Sequence, residues 1–128
     1  MNDKFRQIYG YRSDVVVVED DPVIRTLIVD ILTDIGATAV AFETADDALE
    51  HVLESHAICP LVIVDHGLPG RLLGTRFAEM VKVKWPNVAL LITSGYELPL
   101  TTLPPGAAYI QKPWTVDQFE RMTLELLR

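Results

Sequence analysis

The chain is poor in the features that would assign it to an oxidising or membrane setting. Its 128 residues include one cysteine, Cys59, which can make no intrachain disulfide, and a small residue packed at the start of a strand is the reading it supports. No apolar stretch approaches the ~20 residues that a membrane span needs. The amino terminus MNDKFRQIYGYRSD has no apolar signal-peptide core, so a cytoplasmic domain is expected. Basic residues are also in deficit: 11 Lys and Arg against 18 Asp and Glu give a formal net charge of −7. That balance argues against direct contact with nucleic acid or an anionic membrane and favours a protein partner or a cation. There is no internal repeat, linker or low-complexity segment.

What is present is an alternation of short apolar runs with amphipathic stripes, in a length that suits one domain. Residues 1–13 read as an N-terminal extension and residues 14–128 as the domain. Val15–Val18 is uniformly β-branched and too short for a helix, as expected of a strand buried on both faces of a parallel sheet. Asp21-Pro22 then caps and opens a helix whose stripe is Ile24, Leu27, Ile28, Ile31, Leu32 and Ile35, with Gly36 as its stop. A second strand over Thr38–Phe42 leads through Thr44 into a stripe of Ala45, Ala48, Leu49, Val52 and Leu53. Leu61–Val64 is a third strand, followed by a helix near Thr75–Lys84 that turns Phe77, Met80 and Val81 inward and stops at Trp85-Pro86-Asn87.

Val88–Ile92 predicts a fourth strand. The stretch after it carries Pro99, Pro104 and Pro105, so any helix there is short or distorted. Ala108–Gln111 is a fifth strand, and Val116, Phe119, Met122, Thr123, Leu126 and Leu127 mark a closing helix. Such βα alternation predicts an α/β sandwich with right-handed crossovers.

The apolar runs end in chemically capable residues: Glu19-Asp20-Asp21, Asp65, Thr93-Ser94 and Lys112-Pro113. In a parallel sheet these endings share one edge, and open α/β sheets bind ligands outside the carboxyl ends of their strands. Two unit charges ~4 Å apart repel by about 4 kcal/mol at an effective dielectric near 20, so crowding Glu19, Asp20 and Asp65 calls for a cation. Oxygen ligands without a His or Cys cluster favour Mg²⁺ or Mn²⁺. A metal so held binds a phosphoryl group, beside which an Asp carboxylate can act as nucleophile, with a hydroxyl from Thr93 and an ammonium from Lys112. Asp21 reads as a helix cap alone.

These residues, from about Asp14 to Arg128, resemble the receiver domain of two-component response regulators, in particular hybrid-kinase or stand-alone receivers with a shortened fourth helix. The resemblance implies a doubly wound, flavodoxin-like sheet of five parallel strands in the order 2-1-3-4-5. It implies Mg²⁺ held by Glu19, Asp20, Asp65 and the backbone carbonyl of Gly67, with Asp65 as phosphoacceptor. Thr93 and Lys112 match the switch hydroxyl and the phosphate-pairing lysine, and Tyr109 matches an aromatic whose rotamer follows phosphorylation. Lys112-Pro113 resembles the family's cis X-Pro junction. Gly67 and Gly95 offer no side chain to position an attacking water, which suggests slow self-dephosphorylation.

The implied donor is a histidine kinase or a histidine phosphotransfer protein. The recipient is a downstream protein, with a second copy of the chain as a further candidate, and the chain promotes its own phosphorylation without being a turnover enzyme. Two other readings stay open. A Mg²⁺-dependent phosphohydrolase needs an acid-base residue near Asp65, where the chain offers His66-Gly67-Leu68. A receiver-like interaction module that is never phosphorylated would not need the intact set Glu19, Asp20, Asp65, Thr93 and Lys112. His66 reads as exposed and not as a ligand, and His51 and His56 are five apart and do not share a helix face. Leu98, Leu100, Leu103 and Trp114 either replace the packing of a lost helix or form an apolar output surface.

Overall fold

Four successive valines lose little by adopting extended backbone, and Val15–Val18 are each at most 2% exposed, covered on both faces. The structure, a computed structural model, describes residues 14–55, 58–68 and 73–127; residues 1–13 and His56 lie outside these. The described elements are β1 (Asp14–Val18), α1 (Pro22–Asp34), β2 (Thr38–Phe42), α2 (Ala45–Glu54) and β3 (Leu61–Asp65), then α3 (Gly74–Lys84), β4 (Ala89–Ser94), a 3₁₀ turn (Leu100–Thr102), β5 (Ala108–Gln111) and α4 (Val116–Leu126). The sheet runs β2-β1-β3-β4-β5 and every pairing is parallel. Strand order therefore reverses between β1 and β3, and the acidic endings Glu19-Asp20 and Asp65 flank that point.

Alternation along the strands divides the interior into two layers. Val16, Val18, Val62 and Val64 face α2 and α3, where they meet Ala48, Val52, Phe77 and Val81. Val15, Val17, Ile63 and Leu91 face α1 and α4, where Ile28, Ile31, Leu32 and Phe119 cover them. Cys59 is buried as expected, its thiol donating to the Leu61 carbonyl at 3.1 Å, and burial pushes the thiol up to about 11. Among the described residues no helix is long and apolar enough to cross a membrane.

Local chemistry accounts for the helix ends. Asp21 accepts from the amides of Val23 and Ile24, with Pro22 at the first helical position. Gly36 takes φ 85° while its amide donates to Thr33 and that of Ala37 to Leu32, a Schellman closure that a side chain at 36 would strain. Four positions on the expected stripes turn outward: Leu27, Leu53, Met80 and Val116 are 37%, 65%, 37% and 46% exposed. Each lies at the margin of a stripe wider than the layer it covers. Pro-rich chemistry leaves one 3₁₀ turn in the fourth crossover, and Leu98 and Leu103 pack against the α2–α3 layer in place of a helix. Trp114 packs instead against Phe119 on the opposite layer, with ring centroids 4.3 Å apart.

Candidate functional site

Each strand delivers its terminal residue to one edge. The register sets Asp65 of β3 beside Thr93 of β4, and the amide of His66 continues the ladder by donating to the Thr93 carbonyl at 2.8 Å. Glu19 follows β1 and is tied to β2 by its amide, which donates to the Phe42 carbonyl at 3.0 Å, while the amide of Lys112 donates to the Ser94 carbonyl at 2.8 Å. The Lys112-Pro113 bond is cis, as expected.

The side chains converge accordingly. Oxygens of Glu19, Asp20 and Asp65 lie within 4.8 Å of one another, a set that could hold a metal ion. Glu19 and Asp65 are buried, at 1% and 6% exposure. Lys112 Nζ bridges them, 2.6 Å from Glu19 Oε1 and 3.1 Å from Asp65 Oδ2. The Asp21 amide donates to Glu19 Oε2 and the Gly67 amide to Asp65 Oδ1.

Burial dominates the electrostatics of Glu19. Desolvation pushes its carboxyl up from 4.5 to about 7, against the bonds from Lys112 and the Asp21 amide, with the Asp65 charge adding to the rise. Burial also opposes the charge of Lys112, but its hydrogen bond to Glu19 and the Asp65 charge outweigh that and hold the ammonium above its ordinary range. One ammonium thus offsets part of the charge of three carboxylates, and oxygen donors alone make this a fit for a hard divalent cation.

The other expected residues are placed as follows. Thr93 and Ser94 are buried at the site, and a Cβ added at Gly95 would meet nothing within 4 Å among the described residues. At Gly67 the nearest atom to such a Cβ is Asp65 Oδ1, at 3.9 Å, so both glycines leave the carboxylate approachable. Tyr109 is half-buried, and its hydroxyl donates to the Tyr96 carbonyl at 2.7 Å. His51 lies by the Phe42 ring, with centroids 5.2 Å apart, and is not among the residues of the acidic cluster.

Two features escape a reading of local pattern. Arg25, one helical turn beyond the Asp21 cap, donates from Nη1 to the Glu19 carbonyl at 2.9 Å and to the Asp20 carbonyl at 3.4 Å, tying down the loop that carries both carboxylates. Its spacing from the cap is the only sequence signal. His66 is half-buried and not exposed as expected, because its ring stands edge-on to Tyr96.

The pattern of the response regulator receiver domain family matches residues 15–123. The nitrogen assimilation regulatory protein NtrX of Azorhizobium caulinodans is 32% identical over 123 residues, 90% of this chain and 27% of that protein, so the chain spans about a quarter of this relative's length. Among solved structures, a CheY-like response regulator receiver domain protein from Methanospirillum hungatei JF-1 superposes with a TM-score of 0.75 at 27% identity, covering 89% of this chain and 93% of that one. The receiver domain of NtrX from Brucella abortus does so with a TM-score of 0.78 at 28% identity, covering 89% and 98%.

Proposed function

Because this chain belongs to the response regulator receiver domain family, we propose that it works as the phosphoacceptor switch of a two-component phosphorelay, with Asp65 as the residue that takes the phosphoryl group. Receiver domains work between kinases and downstream effectors, and the donor proposed here carries a phosphohistidine. The observation that supports the reading most is the convergence of Asp65, Glu19, Asp20 and Lys112 at the strand-order reversal.

In the proposed transfer an Asp65 carboxylate oxygen forms a bond to phosphorus as the P–N bond to the donor imidazole breaks. The imidazole leaves with that electron pair. Glu19, Asp20, Asp65 and the Gly67 carbonyl would hold Mg²⁺, or Mn²⁺ in its stead. Bound there, the cation neutralises charge on the phosphoryl oxygens. Lys112 already stands 3.1 Å from Asp65 Oδ2, where it can pair with the new phosphoryl group, and Thr93, beside Asp65 in register, supplies a hydroxyl. The acyl phosphate shifts a two-state equilibrium on the Tyr109 face, changing affinity for a downstream protein. The chain does not turn over substrate: the phosphorylated carboxylate is the output and, with glycine at 67 and 95, it is long-lived.

Intact mass after incubation with Mg²⁺ and acetyl phosphate tests this. The wild type acquires one phosphoryl adduct that decays slowly, and Asp65→Asn acquires none. No adduct on either chain, or an equal adduct on both, overturns the assignment.

A further inference from the structure

Three connections meet at Tyr96, a residue to which the sequence pattern assigns no role. Its amide donates to Ser94 Oγ at 3.1 Å, its carbonyl accepts the Tyr109 hydroxyl at 2.7 Å, and its ring stands against the imidazole of His66. The two ring centroids are 6.0 Å apart with planes at 79°, an edge-to-face pair. His66 directly follows Asp65, and its own amide is bound to the Thr93 carbonyl. Its Nδ1 is buried and has no hydrogen-bond partner among the described residues, so the ring contact with Tyr96 is the contact that positions the imidazole. Tyr96 is 55% exposed, so its ring is no part of the core; what it does contact is the residue beside Asp65.

We propose that the His66–Tyr96 ring pair couples the phosphoacceptor segment to the Tyr109 face, making Tyr96 a positioning residue that acts through the Tyr109 hydroxyl. The inference rests on Asp65 being the phosphoacceptor. A displacement at the end of β3 moves His66, and the edge-to-face contact passes that movement to the Tyr96 ring. Because the residue 96 amide is anchored on Ser94, movement of the ring turns residue 96 about that anchor and re-aims its carbonyl. The Tyr109 hydroxyl, whose acceptor that carbonyl is, then changes its environment. Gly95 gives the hinge room, since even a Cβ there would meet nothing within 4 Å among the described residues.

The test uses the full chain labelled with 3-fluorotyrosine, with the Tyr109 ¹⁹F signal assigned by Tyr109→Phe. Spectra are taken before and after Mg²⁺ and acetyl phosphate, with intact mass confirming the Asp65 adduct in every sample. The Tyr109 signal shifts in the wild type, and Tyr96→Phe, which keeps the ring, retains the shift. Tyr96→Ala and His66→Leu each lose at least half of it, and the double variant loses no more than the larger single loss. An adduct accompanied by an undiminished shift in both single variants, by losses that combine independently, or by no wild-type shift overturns the coupling alone. No adduct in any sample overturns the phosphoacceptor reading and the coupling with it.

Discussion

Glu19 carries a carboxylate where burial resists its charge, and the resistance has a measurable sign. In the folded chain its carboxyl titrates at about 7 instead of 4.5, with desolvation as the largest cause. A carboxyl raised in this way favours folding most in its protonated form, so its contribution is fully present below pH 4.5 and is lost as pH rises through about 7. Lys112 stays protonated across that window, because its own pKa is raised, and it cannot produce the trend. Glu19→Gln removes the titration. With a chelator present, wild-type stability relative to Glu19→Gln therefore falls between pH 5 and 8, by on the order of 1 kcal/mol per pH unit near the midpoint. Millimolar Mg²⁺ is expected to reverse the fall in the wild type alone, since a cation held at the proposed site would favour the ionised carboxylate. Urea unfolding of both chains across that range checks this, and parallel stability curves would contradict it.

At the scale of elements, helix starts, stops and breakers were legible. The Asp21-Pro22 start, the Gly36 stop and the proline-thinned crossover are local chemistry and stand where pattern puts them. Periodicity overreached at Leu27, Leu53, Met80 and Val116, because a stripe names a helix face without saying how much of it the sheet can cover. Gly74, the first residue of α3, was illegible for a different reason: its role is set by backbone nine positions earlier. A Cβ at 74 would sit 2.2 Å from the Asp65 carbonyl oxygen and 2.9 Å from the Asp65 carbonyl carbon and the His66 Cα. These atoms belong to the chain that presents the site carboxylate, so neither side gives way cheaply. Gly74→Ala is expected to destabilise by about 1–3 kcal/mol and to slow adduct formation by displacing Asp65. Gly95→Ala, with open space around it, serves as the near-neutral control for stability. Denaturant midpoints and adduct rates for the two variants decide the matter, and equal behaviour would remove the close approach as a constraint.

At the scale of the whole molecule, the carboxylate and lysine parts of the site were legible because parallel connectivity forces every strand to end on the same edge. Polar residues at the ends of apolar runs must then meet whatever the loop details. Arg25, which reaches back to backbone carbonyls before its own helix, and the His66–Tyr96 pair, which packs across two loops, were not legible, since no periodicity describes either contact. The same assembly creates a surface that no single element contains. Ile24 and Leu27 of α1, with Gly95, Lys112, Pro113 and Trp114 from the loops after β4 and β5, line an apolar cleft of about 420 Å³. Lys112 belongs to both cleft and site, so under the proposed function a protein donor that reached Asp65 would be expected to cover the cleft as well. Acetyl phosphate, far smaller than a protein donor, is not expected to need a contact with Leu27. Leu27 is 37% exposed, so replacing it costs the free domain little, whereas a carboxylate there would be buried unpaired under a docked partner. Leu27→Asp should therefore slow transfer from a phosphorylated histidine phosphotransfer protein by about tenfold or more, the effect of losing roughly 1.4 kcal/mol of association. Phosphorylation by acetyl phosphate should proceed at the wild-type rate. Adduct rates with the two donors measure this side by side, and equal slowing with both would show that the change perturbs Asp65 itself, which excludes the cleft as the donor's docking surface.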